Sequence, residues 1–253
     1  MCIRDRVGRE EEIKVLTNLL SAKEADLLVV YGRRRVGKTF LIRNTYSNEM
    51  AFEYAGIHEA PLAVQLAEFT TTLNRFAGSY KWATPKTWTE AFQFLKDYLT
   101  PLLKRKKRVI FFDEFPWIDT PRSFFLAAFE HFWNTWASVQ PNLVVVICGS
   151  SASWMIKKVI NNRGGLHNRV TKKLRLLPFT LSETEDFLKS RHINLSRYQI
   201  LQLYMVTGGI PQYLKEVQVG ESATQAIDRL CFTNDGFLPV SYTHLRAHET
   251  VLD

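Results

Sequence analysis

Gly32-Arg33-Arg34-Arg35-Val36-Gly37-Lys38-Thr39 satisfies the pattern G-x-x-x-x-G-K-[ST] in full. Each residue type has a physical reason to stand where it does. Gly32 and Gly37 allow the backbone to curl, so that the N–H groups of Arg33, Arg34, Arg35 and Val36 converge on phosphate oxygens. Lys38 brings a compact positive charge to the β and γ phosphates, and the Thr39 hydroxyl is of the kind that binds Mg²⁺. The helix expected to open at Thr39-Phe40 turns its positive end toward the anion. The flanks agree: residues 27–31 form a short apolar run suited to a buried strand, and residues 39–43 resume helical character. The stretch therefore predicts a strand, a phosphate-binding loop and a helix, with ATP and Mg²⁺ as cofactors.

Two further strand ends carry matching chemistry. Residues 109–112 are four apolar residues that run into Asp113-Glu114. In a parallel sheet, ligands bind at the carboxyl ends of the strands. Asp113 is accordingly expected beside the Mg²⁺ held by Thr39, and Glu114 as the base that orients and deprotonates an attacking water. A glutamate beside the aspartate favours hydrolysis over binding alone. Residues 143–148 form another apolar run and end in Gly149-Ser150-Ser151. If that strand lies between the other two, Ser150, with Ser151 close behind, is placed to reach the γ-phosphate or the water. The alternative is a polar turn that caps the next helix. Phosphoryl transfer also calls for an arginine at the developing charge. Arg169, ahead of Arg163, is the candidate, supplied by a neighbouring subunit or a moving domain.

Around these points the pattern alternates. Helices are expected over residues 11–21, 61–76, 90–103, 121–137 and 154–160, the third opened by the capping pattern Thr87-x-x-Glu90. Further strands are expected over 52–55 and near 173–176. Continuously apolar strands between helices indicate an α/β fold, a parallel sheet with helices on both faces. After Pro178 only helices follow: one capped by Ser182-x-x-Glu185, one over 196–206, and one starting at Pro211. Residues 7–177 are thus expected to form a P-loop domain of the ASCE type. Residues 178–239 would be a truncated helical lid or the start of a winged-helix domain.

The two ends read differently. Met1-Cys2-Ile3-Arg4-Asp5-Arg6 and the stretch from Val240 to Thr250 look like translated sequencing-adapter DNA read from opposite strands. Residues 1–6 and 240–253 are expected to be artefacts flanking a gene fragment. Each sign of charge loses three residues with them, so the net +8, from 33 Lys+Arg against 25 Asp+Glu, belongs to the domain itself. That balance favours polyanionic partners without choosing among them. Three widely spaced cysteines form no metal pattern and no disulfide framework, which points to a reducing cytoplasm. No apolar run approaches the roughly 18–20 residues of a membrane helix, so no membrane partner is expected.

Taken together, Val7-Gly8-Arg9-Glu10, the Tyr31–Thr39 stretch, Asp113-Glu114, Gly149-Ser150-Ser151 and Gly208-Gly209-Ile210-Pro211 resemble the archaeal-type ATPase family, within the AAA+-like and STAND-like P-loop ATPases. The resemblance covers nearly all of residues 7–239. It implies that Gly8 and Arg9 cradle the adenine side and that the turn ending at Pro211 senses bound nucleotide. It also implies that relatives continue into winged-helix and often nuclease-like regions.

Weaker signals remain. Lys104-Arg105-Lys106-Lys107-Arg108 is either a nucleic-acid contact or a solvated helix end guarding an apolar strand. Phe129, Phe132, Trp133 and Trp136 fall at helical spacing and read as core. His58, His131, His167 and His192 show no ligand spacing. No guanine-specific Asn-Lys-x-Asp pattern is present. Two rivals to the ATPase remain: a low-turnover ATP switch, and a DNA-binding module with an accessory ATPase.

Overall fold

The computed structural model describes residues 8–161, 164–166, 168–233 and 236. The two expected artefact segments, Val7 and Arg163 lie outside the described residues. Among the described residues, five strands form one parallel sheet: β1 (Asp26–Tyr31), β2 (Met50–Ala55), β3 (Arg108–Asp113), β4 (Leu143–Gly149) and β5 (Lys172–Arg175). Their order is β2-β3-β4-β1-β5. β4 therefore does lie between the strand before the glycine loop and the strand that ends in Asp113. β4 is buried along its whole length and β3 at every residue but its first. That is why both read as unbroken apolar runs rather than as alternation.

Helices α1 (Glu10–Ser21), α2 (Lys38–Thr45), α3 (Leu62–Ala77), α4 (Trp88–Leu103), α5 (Phe115–Ile118), α6 (Phe125–Thr135) and α7 (Ala152–Met155) accompany the sheet. A π-helical turn, Ile156–Ile160, continues α7. The core is dense in aromatic rings. Phe92 stacks on Phe132 with centroids 4.9 Å apart, and Phe125 meets Trp88 edge-on at 4.9 Å. Phe129, Phe132 and Trp133 are buried in this core, and Trp136 packs against it. The sheet and these helices make one compact unit, spanning Glu11–Arg34 and Lys38–Leu176.

The second unit takes the chain from Leu177 on, together with residues 8–10 and Arg35–Gly37. It contains α8 (Leu181–Ser190), α9 (Arg197–Thr207), α10 (Pro211–Leu214) and α11 (Ala223–Cys231). Its own small core joins Leu188, Ile193, Ile200, Leu203, Val217, Ala223, Ala226 and Leu230.

Several expectations are corrected. The helix expected over 121–137 starts only at Phe125, and the unforeseen α5 precedes it. The cap of α8 is Thr180, not Ser182. Thr180 Oγ1 accepts the Glu183 N–H at 3.2 Å, and the Glu183 carboxylate accepts the Thr180 N–H at 2.7 Å. Two overlapping capping patterns stand in the sequence, and the extended backbone of Thr180 decides between them. α10 is shorter than expected, and α11, capped by Ser222, was not foreseen.

The basic run is also corrected. Lys104, Arg105 and Lys106 are exposed, but the Lys107 side chain is a largely covered brace. Its ammonium donates to the carbonyls of Ala22 at 2.7 Å and Glu24 at 2.8 Å, and lies 3.7 Å from the Asp26 carboxylate. Burial holds Lys107 below its usual range, against the opposing pull of Asp26.

Candidate active site

The phosphate loop follows β1 and α2 begins at Lys38, so the loop stands at the carboxyl edge of the sheet. Gly32 has φ +149°, and a Cβ there would stand 2.2 Å from the Leu176 carbonyl oxygen. Only glycine fits that approach. Gly37 has φ +91°. Lys38 is 6% exposed, and its ammonium donates to the carbonyls of Gly32 and Arg33, both at 2.9 Å. Those two bonds hold the curl of the loop around the charge.

Thr39 Oγ1 donates to Asp113 Oδ2 at 2.6 Å, bridging the first turn of α2 and the end of β3. Asp113 is buried, and its other oxygen accepts the Glu114 N–H at 2.9 Å. Glu114 sits in the left-handed region at φ +43° and leads into α5. Its Oε2 accepts two bonds from Ser150, the hydroxyl at 2.9 Å and the backbone N–H at 3.3 Å. Ser151 leads into α7 without a side-chain capping bond. Arg34 is exposed, and its Nε–H donates to Ser150 Oγ at 3.4 Å. Beneath these groups Cys148 is buried, and burial, then the neighbouring Asp113, pushes its thiol well above its usual range.

The remaining expected residues fall into two sets. In the helical unit, Gly8 and Arg9 both have positive φ, at +71° and +69°. The Arg9 guanidinium donates to the carbonyls of Leu177 at 2.5 Å and Val36 at 3.4 Å and lies over the Phe179 ring at 4.9 Å. Arg35 lies over Tyr213, two residues past Pro211, at 5.6 Å. Pro211 opens α10 after the left-handed pair Gly208-Gly209. Arg33 and Phe40 are exposed. So is Arg169. Among the described residues no bond joins its guanidinium to any other expected site residue.

Sequence reasoning missed the support behind Glu114. Gln65 is fully buried and uses both ends of its amide: Nε2 donates to the Ile57 and Trp117 carbonyls, while Oε1 accepts from Tyr54 Oη and Ile57 N–H. Gly56 packs so closely on α5 that a Cβ would stand 2.7 Å from the Glu114 carbonyl oxygen. The glutamine carried no motif; the one available signal was a polar residue on the apolar face of an amphipathic helix. Among the described residues, no group of three or more His, Cys, Asp or Glu is placed to hold a metal alone. Thr39 and Asp113 do fit Mg²⁺ carried with a nucleotide: a hydroxyl and a carboxylate, both hard oxygen donors, already meet.

The family of ATPase domains found predominantly in Archaea matches residues 7–217. The chain belongs to that family. This ATPase domain is 28% identical over 218 residues to an uncharacterized protein of Methanocaldococcus jannaschii, a match that covers 84% of the chain. The matched part spans 44% of that relative's length. An uncharacterized ATP-binding protein of the same organism is 44% identical over 43 residues, 17% of the chain and 73% of the relative. In fold, the domain is similar to a Walker-type ATPase of Pyrococcus abyssi, with TM-score 0.68 and 20% identity over 98% of this chain and 77% of that one. ATP is the ligand this family membership implies. Among the described residues, no helix of the domain is long and apolar enough to cross a membrane.

Proposed function

We propose that the domain hydrolyses Mg-ATP at the carboxyl edge of its sheet and passes the nucleotide state to its helical unit. The observation that carries the reading is the 2.6 Å bond between Thr39 and Asp113, with Glu114 as the next residue. Lys38 and the loop N–H groups bind the β and γ phosphates. Thr39 and Asp113 hold Mg²⁺, which when bound screens the phosphate charge. Glu114 takes a proton from water as its oxygen attacks the γ-phosphorus, and ADP leaves with the bond electrons. Arg169, exposed and free of side-chain partners among the described residues, is the charge stabiliser offered to a neighbouring copy. Gly8 and Arg9 hold the adenine side, and the turn at Pro211 senses the bound nucleotide. Arg35–Gly37 cluster with the helical residues, and Arg35 meets Tyr213. Both facts support a phosphate loop whose occupancy reaches α10. Cys148 and Cys231, both free thiols, suit a cytoplasmic setting.

Phosphate release with Mg-ATP tests the reading. Lys38→Ala should abolish binding. Glu114→Gln should keep binding and lose about 10²–10⁴-fold in turnover. A Glu114→Gln protein as active as the parent would replace hydrolysis by a binding switch. Coupling predicts ATP-dependent protection from protease between residues 177 and 233, removed by Arg35→Ala.

A further inference from the structure

We propose that Arg34 is a positioning residue for hydrolysis and acts on Glu114 through Ser150; the proposal rests on the hydrolytic reading above. Glu114 Oε2 is anchored by both donors of Ser150. No hydrogen bond engages Oε1 among the described residues, which leaves it as the oxygen that can receive a proton from water. A serine hydroxyl has one proton, and here that proton is engaged by Glu114. Ser150 in this geometry therefore orients the base and does not donate to a phosphate. What keeps the hydroxyl turned is the bond it accepts, from Arg34 Nε. Without that donor only the bond to Glu114 orients the hydroxyl, and the hold on the carboxylate loosens.

Arg34 in turn has a platform. Its guanidinium lies 5.3 Å from the centre of the Trp117 ring. Trp117 is fixed on three sides: its N–H donates to the Glu114 carbonyl at 2.8 Å, its carbonyl accepts from Gln65 at 2.9 Å, and His58 meets its ring edge-on at 5.0 Å. The contacts close a ring, Glu114 to Ser150 to Arg34 to Trp117 and back to Glu114. One short helix thus carries both the base and the support of the group that orients it. Arg34 is also part of the phosphate loop, so a shift of the loop on phosphate binding moves the orienting group directly. Arginine is required because the Nε–H donor and the planar face that stacks on Trp117 belong to one rigid group. Lysine keeps the charge and loses this geometry.

The test uses the full chain with Mg-ATP and the variants Arg34→Ala, Arg34→Lys, Ser150→Ala and Arg34→Ala/Ser150→Ala. Expected are an about tenfold fall in kcat for both Arg34 variants, nucleotide Kd within about twofold of the parent, and a double variant no slower than Ser150→Ala. An Arg34→Ala variant with raised Kd and unchanged kcat overturns the proposal, as do rescue by lysine and additive losses. A second readout is independent of turnover. In ¹⁵N spectra of arginine side chains, the Arg34 Nε–H should be shifted by the Trp117 ring. Both Ser150→Ala and Trp117→Leu should move it. A resonance that coincides with solvent-exposed arginines overturns the relay. A parent chain that binds ATP and releases no phosphate overturns the hydrolytic reading instead.

Discussion

Lys107→Met separates a structural lysine from its solvated neighbours. The methionine preserves volume and removes the charge. Two bonds from the ammonium to carbonyls are lost, at 2.7 and 2.8 Å. Asp26 keeps its bond from Thr171 at 3.0 Å, but its other oxygen, which has no hydrogen bond among the described residues, loses the one nearby cation described. Both side chains are less than one-tenth exposed. Solvent therefore does little to make good the loss, and removing one member of a buried pair costs about 3–5 kcal/mol. Against a total stability of about 5–15 kcal/mol that is a large share. In a chain of this size each kcal/mol moves Tm by about 2–4 °C, so a loss near 4 kcal/mol lowers Tm by about 8–16 °C. Circular dichroism melts and urea titrations at neutral pH read both quantities. Lys104→Met and Arg105→Met, at exposed positions, should stay within about 0.5 kcal/mol of the parent. Lys107→Met combined with Asp26→Asn should recover part of the loss, because the stranded carboxylate is gone. If Lys107→Met melts with Lys104→Met, the brace contributes nothing and the run is a solvated surface after all.

Other outcomes follow from the same geometry. ATP at 100 times its Kd, with Mg²⁺, should stabilise the parent by about 2.7 kcal/mol, and Lys38→Ala should remove the whole shift in Tm. Gly32→Ala puts a Cβ 2.2 Å from the Leu176 carbonyl; nucleotide binding should be lost and Tm should fall, both measurable by calorimetry. Two carboxyls of the helical unit sit below the usual 4.5: Glu183, where burial is outweighed by Thr180 and then Arg9, and Glu221, through its bond to Arg229. Their contribution is complete above about pH 4.5 and fades as pH falls through the lower folded values. Glu183→Gln/Glu221→Gln should therefore flatten the acid side of the Tm–pH curve. Cys148, buried and with its thiol pushed up, should resist iodoacetamide in the native protein and react once urea opens the sheet.

What was legible in the sequence is what local chemistry dictates. A glycine–lysine–threonine loop needs a strand before it and a helix after it, and both are there. Two apolar runs ending in polar residues announced strands whose ends meet at one edge, and Thr39 and Asp113 touch although 74 residues separate them. A cap was legible where one pattern stood alone, as at Thr87, and the reading failed at Thr180, where two patterns overlapped. Position within a motif could not show what a side chain does. Arg34 looked like one of three interchangeable loop arginines, yet it reaches Ser150 and Trp117 while Arg35 meets Tyr213. Lys107 looked like one of five basic residues in a run. Both depend on partners far along the chain, and no periodicity encodes those.

The two ends of the sheet explain why one resisted reading more than the other. At the amino end, the largely buried side chains of Asp26 and Lys107 face each other: the ammonium bonds two carbonyls, Asp26 Oδ1 accepts from Thr171, and Asp26 Oδ2 has the ammonium at 3.7 Å and no hydrogen bond among the described residues. Any single side of it looks ordinary in sequence. At the carboxyl end the backbone itself is unusual. Glu114 holds a left-handed φ that a glutamate does not choose, and Gly56 and Gly149 leave α5 and Met155 no room for a Cβ between them and the strands. Strain of this kind persists only where surrounding contacts over-determine it. Here those contacts are the buried amide of Gln65, the carbonyl bond from Trp117 and the two donors of Ser150. Every one of them bears on the same carboxylate or on the helix that begins with it. Cutting the Gln65 amide should therefore damage turnover more than stability would suggest. Gln65→Leu, isosteric enough to fill the site, should lose kcat beyond what its shift in Tm accounts for. Equal turnover in the folded Gln65→Leu protein would mean that Glu114 is held by its own backbone, and that the network beneath it serves the fold alone.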